Sequence, residues 1–255
     1  MKKILKQLPR RTKKPRENGI TMMMDKGLSL RQAEDFLSVN KKYTDIIKLG
    51  FGTSIITPDI SYKIQFYKEN GILVYAGGTL FEAFAIRKQL DDYKKYLEKL
   101  GLTMVEISDG SIDINHDEKC KIIADFSKYF RVVSEVGSKQ STIKISTKNW
   151  INWMQNELSA GSWKVIAEAR ESGNIGIYDK KNQIKSKLID SITDVIPNDK
   201  IIWETPKKHQ QVWFIKKFGA NVNLGNINRE DVMPLECLRL GLRSDTFNNF
   251  FNFIT

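Results

Sequence analysis

One unit recurs eight times along this chain and constrains its fold more than any other feature. A short apolar run, often β-branched, ends in a polar or charged residue, usually beside glycine, and an amphipathic stretch follows. The runs are Ile20–Met24, Asp45–Ile47, Ile72–Tyr75, Met104–Ile107, Phe130–Ser134, Lys164–Ala167, Lys200–Trp203 and Ala220–Val222. They start 20–36 residues apart, the length of a βα unit.

The stretches between them carry helical signals. Ser29 is an expected N-cap before Leu30, Ala33, Phe36 and Leu37, which share one helical face. Thr79–Leu100 reads as one helix ending at Gly101. Further helices are expected over His116–Tyr129, Asn149–Leu158, Gln210–Phe218 and Leu235–Leu242. Eight strand–helix units in 255 residues predict an α/β fold, a (β/α)8 TIM barrel, in a single domain. A doubly wound open sheet would share this alternation, but nothing resembles its G-x-G-x-x-G turn.

Charge divides the chain unevenly. There are 41 basic and 30 acidic residues, a net of +11. Residues 1–16 hold eight of the basic side chains and no acid, leaving 33 basic and 30 acidic over 17–255. We therefore expect a basic N-terminal arm over 1–16 and a nearly neutral barrel domain over 17–255. A body at +3 offers no continuing basic footprint for nucleic acid. No apolar run approaches the ~18–20 residues of a membrane span, and the basic start has no apolar stretch behind it as a secretory signal would. Two cysteines, Cys120 and Cys237, make no disulfide framework, so a reducing cytoplasm is expected. With two histidines, His116 and His209, a structural zinc site would need all four residues. A hard, oxygen-bound cation is the metal this composition suits.

In a barrel the functional site lies at the C-terminal ends of the strands. The residues there are Asp25, Glu106, Asp109, Glu135, Glu168, Glu171 and Glu204, with Lys26, Lys48, Lys139 and Arg170. Mixed charge of this kind suits a cation with an anionic substrate. Carboxylates hold Mg²⁺, while lysine and arginine hold phosphate, carboxylate or sulfonate. Any one of these residues alone also fits a rim salt bridge. Two glycine-bearing loops, Gly77-Gly78-Thr79 and Asn223-Leu224-Gly225-Asn226, either present N–H groups to an oxyanion or simply turn the chain. Arg239 and Arg243 are expected to face solvent or a partner subunit.

Several strand-end segments carry a family resemblance. They are Arg16–Gly27 (RENGITMMMDKG), Ile47–Thr53 (IKLGFGT), Gly77–Glu82 (GGTLFE), Val105–Gly110 (VEISDG), Ser134–Lys139 (SEVGSK), Glu168–Gly173 (EARESG), Asn221–Ile227 (NVNLGNI) and Leu235–Thr246 (LECLRLGLRSDT). Together they resemble the phosphosulfolactate synthase family, in order and over essentially the whole chain. The resemblance implies a (β/α)8 barrel that adds sulfite to phosphoenolpyruvate with Mg²⁺, giving (2R)-2-O-phospho-3-sulfolactate. This product leads toward coenzyme M or sulfolactate. It also implies Lys139 as the general acid, where the family pattern has two lysines and this chain has Ser138-Lys139.

The resulting expectations are explicit. Lys139 and Glu135 are catalytic candidates. Lys26, Lys48, Arg170, Gly77, Gly78, Gly225 and Asn226 are substrate-binding candidates. Asp25, Glu106 and Glu168 are metal candidates, for Mg²⁺. The partners expected are small anions, without nucleic acid or membrane, and a homo-oligomer is expected. The alternative is a barrel relative without lyase activity, acting as a stress-associated or binding protein.

Overall fold

In the computed structural model, residues 4–138, 145–170 and 172–250 are described. Eight strands alternate with helices. The strands are β1 (Thr21–Asp25), β2 (Ile46–Leu49), β3 (Leu73–Ala76), β4 (Met104–Ile107), β5 (Arg131–Val136), β6 (Ser162–Ala167), β7 (Ile201–Glu204) and β8 (Leu224–Ile227). The helices are α1 (Leu30–Asn40), α2 (Thr53–Ile56), α3 (Ile60–Glu69), α4 (Gly78–Ala85), α5 (Leu90–Lys99), α6 (His116–Phe126), α7 (Thr147–Ser159), α8 (Ser186–Thr193), α9 (Lys208–Phe218), α10 (Val232–Arg239) and α11 (Phe247–Phe250).

The sheet order is β3-β2-β1-β8-β7-β6-β5-β4, and every ladder is parallel. β1 pairs with β8, and β4 packs beside β3, so the sheet curls into a nearly closed (β/α)8 TIM barrel. No helix among the described residues is long and apolar enough to cross a membrane.

Strand alternation sorts the side chains into two compartments. Met22, Ile46, Met104, Val133, Ile166 and Ile202 fill the barrel interior in one apolar layer. Their sequence neighbours Met23, Ile47, Val105, Val132, Val165 and Trp203 point outward and pack under the helices. The next inward position, two residues further along each strand, is Met24, Lys48, Glu106, Glu135, Glu168 and Glu204. The apolar layer is thus the floor on which a charged layer stands.

Two expectations change, one for a helix and one for a strand. The Thr79–Leu100 stretch breaks into α4 and α5, with Lys88 in a left-handed conformation between them (φ 58). The eighth strand is Leu224–Ile227, four residues beyond the expected Ala220–Val222. Ser29 caps α1 as expected, in a reciprocal box with Gln32.

Residues 10–16 run across the end of the barrel where the strands begin. Arg11 donates to Ala220 O (2.8 Å) and Gly19 O (3.0 Å) and pairs with Glu236 (3.1 Å). Arg16 pairs with Asp45 at 2.8 Å. Arg239, expected at the surface, is fully buried and donates to Ala220 O, Val222 O and Ile20 O at 2.7, 2.7 and 3.1 Å. These guanidinium groups give hydrogen-bond partners to carbonyls where the chain enters β1 and β8.

Candidate active site

The charged layer opens into a cavity of about 380 Å³ at the C-terminal ends of the strands. Lys48, Glu106, Glu135, Glu168, Glu204 and Asn226 line its base, with Gly77, Gly78 and Arg170 beside them. All four glutamates are buried to 1 % exposure or less. Lys48 Nζ stands among three of them, 3.0 Å from Glu106 Oε2, 3.6 Å from Glu135 Oε2 and 3.4 Å from Glu204 Oε1. Burial opposes the ammonium, but Glu106, Glu204 and Glu135 together outweigh it and raise its pKa well above the ordinary lysine range. The Glu204 carboxyl is pushed up to about 7, first by burial and then by Glu135 and Glu106, with Lys48 pulling the other way.

Backbone amides fix the carboxylates. Gly78 N–H donates to Glu106 Oε1 (2.7 Å), Ala169 N–H to Glu204 Oε2 (3.0 Å) and Arg170 N–H to Glu168 Oε1 (2.5 Å). One oxygen each of Glu135, Glu168 and Glu204 lie within 4.8 Å of one another. Three converging carboxylate oxygens form a donor set that suits a hard divalent cation. Among the described residues, four glutamates face two cations, Lys48 and Arg170, at this cavity. Anionic ligands would be repelled by that excess unless a further positive charge joined it.

The chain matches, over residues 9–245, the sequence profile of the family described as (2R)-phospho-3-sulfolactate synthase (ComA). It belongs to that family. It is 41 % identical over 244 residues to phosphosulfolactate synthase of Bacillus subtilis, covering 94 % of this chain and 97 % of the relative. It is 43 % identical over 237 residues to phosphosulfolactate synthase of Methanocaldococcus jannaschii, covering 91 % and 94 %. Its fold resembles that of 3-hexulose-6-phosphate synthase from Salmonella typhimurium, with TM-score 0.55 and 14 % identity, covering 88 % of this chain and 100 % of that one.

In this phosphosulfolactate synthase family member, the cavity gathers eight of the expected residues: Lys48, Gly77, Gly78, Glu106, Glu135, Glu168, Arg170 and Asn226. Three others fall elsewhere. Asp25 shares the outward parity of Met23 and turns away from the barrel axis. Its Oδ2 meets Lys63 Nζ (2.8 Å) and accepts from Tyr67 Oη (3.0 Å), while Oδ1 accepts from Gly27 N–H (2.8 Å) and Leu28 N–H (2.7 Å). Both oxygens are engaged in seating the β1–α1 turn on α3, so the expected metal ligand is a structural residue. Lys26 is exposed and lines a separate groove with Thr57 and Asp59. Gly225 lies within β8 rather than in a loop after it. A Cβ there would collide with Met22 Cε and lie 2.9 Å from Ile202 Cγ2, so the missing side chain leaves room for the apolar floor.

The two glycine loops resolve differently. Gly77 and Gly78 do open α4 at the cavity, but the Gly78 N–H is taken by Glu106. Asn226, the third residue of β8, is left-handed (φ 52) and 5 % exposed, and its Oδ1 has no hydrogen-bond partner among the described residues. Lys139 and Glu171 lie outside the described residues.

Glu204 is a strand-end acid to which the sequence assigns no role. Its signal was available, because it ends its run with the same inward parity as Glu168.

Proposed function

We propose that this chain catalyses the addition of sulfite to phosphoenolpyruvate, giving (2R)-2-O-phospho-3-sulfolactate with Mg²⁺. The reading rests on family membership together with one observation, the four buried glutamates at the barrel mouth, three of which surround Lys48.

In that reaction the sulfur lone pair forms a bond to C3 of the enolpyruvate. The C2=C3 π electrons move toward the substrate carboxylate, and a proton is then delivered to C2. Both reactants are anions, so the site must offset their repulsion before the bond forms. Glu135, Glu168 and Glu204 are the residues we assign to hold Mg²⁺, which when bound supplies positive charge for the carboxylate as electrons collect there. Lys48 stays protonated at any working pH and provides a fixed cation beside the same place. Arg170, on the rim, suits the phosphate or sulfite oxygens. Asn226 offers its buried amide to a polar substrate atom. Glu106, held by Gly78 N–H and Lys48, fixes the lysine's direction. Lys139 is assigned as the proton donor to C2 by resemblance.

The test is direct. Protein, phosphoenolpyruvate, sulfite and Mg²⁺ are mixed and followed by phosphorus NMR. A new phosphate-ester resonance is expected at the expense of phosphoenolpyruvate. A folded protein that leaves the phosphoenolpyruvate signal unchanged overturns the proposal.

A further inference from the structure

The geometry points to Lys119 as a positioning residue for the glutamate cluster, acting through the backbone of Glu135. Lys119 lies on α6, outside the barrel wall, yet only 1 % of it is exposed. Its Nζ donates to Glu135 O at 2.7 Å and to Asp109 Oδ1 at 2.8 Å, and stands 2.8 Å from Glu157 Oε1. Two of these contacts are hydrogen bonds and the third is an ion pair, so the ammonium is engaged on three sides. The partners come from the end of β5, the loop after β4, and α7.

A buried ion pair adds little stability over a well-packed apolar pair, so Lys119 and Glu157 are weak candidates for mere scaffolding. The bond to Glu135 O holds the peptide from which the Glu135 carboxylate extends. On the barrel's inner side that carboxylate reaches to 3.6 Å from Lys48 and joins Glu168 and Glu204. Asp109 ties the neighbouring loop to the same ammonium. Groups that orient a metal ligand from behind commonly change metal affinity about 10–100-fold when removed, because the ligand atoms must sit within a fraction of an ångström of their working positions.

The inference rests on the assignment of Glu135, Glu168 and Glu204 to a divalent cation, and its test separates the two. Mn²⁺ binding is measured by electron paramagnetic resonance on the full chain. Lys119→Met combined with Glu157→Leu removes both buried charges together and is expected to fold with a Tm near that of the parent. We expect this variant to bind Mn²⁺ about 10–100-fold more weakly, with most of kcat recovered at saturating Mg²⁺. Lys119→Arg keeps a donor for Glu135 O and is expected to restore most of the affinity. Parent protein that binds no Mn²⁺ would overturn the cation assignment and this inference with it. Parent binding with unchanged affinity in the folded double variant overturns the inference alone. Glu157→Gln serves if the double variant does not fold. It leaves Lys119 on Glu135 O, so retained affinity supports the inference and a tenfold loss overturns it.

Discussion

Lys48 Nζ stands 3.4 Å from Glu204 Oε1, so a cation from β2 and an acid from β7 meet across a barrel in which their strands lie three places apart. The contact can form only when the sheet has curled, and it ties barrel closure to the charge balance of the cavity. Replacing Lys48 with Met leaves Glu106, Glu135 and Glu204 buried without their shared cation. We expect a loss of about 3–5 kcal/mol in stability by urea denaturation at pH 8 without metal. Turnover should fall at least ~10²-fold, the scale on which preorganised charge contributes.

Glu168→Gln and Glu204→Gln each remove an anionic oxygen from the candidate cation set while keeping the shape of the side chain. Each should weaken Mg²⁺ binding, measured by calorimetry, and raise the Mg²⁺ concentration needed for half-maximal rate. Asp25→Asn is the contrasting control. It should lower Tm through its contacts with Lys63 and Tyr67 and leave the Mg²⁺ requirement unchanged. Chelation of metal from the parent should abolish turnover, and added Mg²⁺ should restore it.

A side chain at position 78 has no room. An alanine Cβ would collide with Ser108 Oγ and Glu106 Oε1. Gly78→Ala should therefore displace Glu106 and, with it, Lys48. We expect a stability cost of about 1–3 kcal/mol, the usual range for overpacking, with a disproportionate fall in kcat/KM. Gly77→Ala should be milder, because its Cβ would lie 3.1 Å from Leu49 O and 3.3 Å from Lys48 Cε.

Lys164 supplies a pH effect remote from the cavity. Burial lowers its pKa from 10.5 to about 8, although its Nζ donates to Asp199 O at 2.6 Å. The unfolded chain therefore binds more protons than the folded one between about pH 8 and 10.5. Stability from this group rises with pH across that window and is lowest below it. Lys164→Met should thus be at least as stable as the parent at pH 7, and its advantage should shrink toward pH 10. Denaturant midpoints at the two pH values provide the check. An advantage that grows with pH would contradict the lowered value.

Arg239→Met should remove three hydrogen bonds to buried carbonyls at the strand starts. We expect destabilisation of about 3 kcal/mol or more. The kcat of the protein that remains folded should be unaltered, because the change lies at the opposite end of the barrel from the cavity.

The legible parts of the molecule are those governed by short-range periodicity. Seven strands lie within a few residues of their apolar runs, because a β-branched run beside a glycine turn is a local signal. β8 escaped because its residues, Leu-Gly-Asn-Ile, are poor in β-branched side chains. It pairs because Gly225 lets Met22 and Ile202 close over it. The helix α8 has no side-chain cap at its start, so no local signal marks it.

Within the site, charge type at the strand ends pointed to Lys48, Glu106, Glu135 and Glu168 together. Counting parity along each run would have added Glu204 and removed Asp25. Lys119 could not be found this way. Its partners are 10, 16 and 38 residues distant, and only the packing of α6 and α7 on β5 brings them together.

Arg11 and Glu236 meet across 225 residues of sequence. A chain leaving the ribosome therefore cannot seat Arg11 until it has been synthesised through α10. Until then β1 lacks its β8 neighbour, and the carbonyls that Arg11 and Arg239 cover face water. Loop closure over so long a separation is a slow, late event. Nascent chains halted before α10 should accordingly remain open, protease-sensitive and dependent on chaperones.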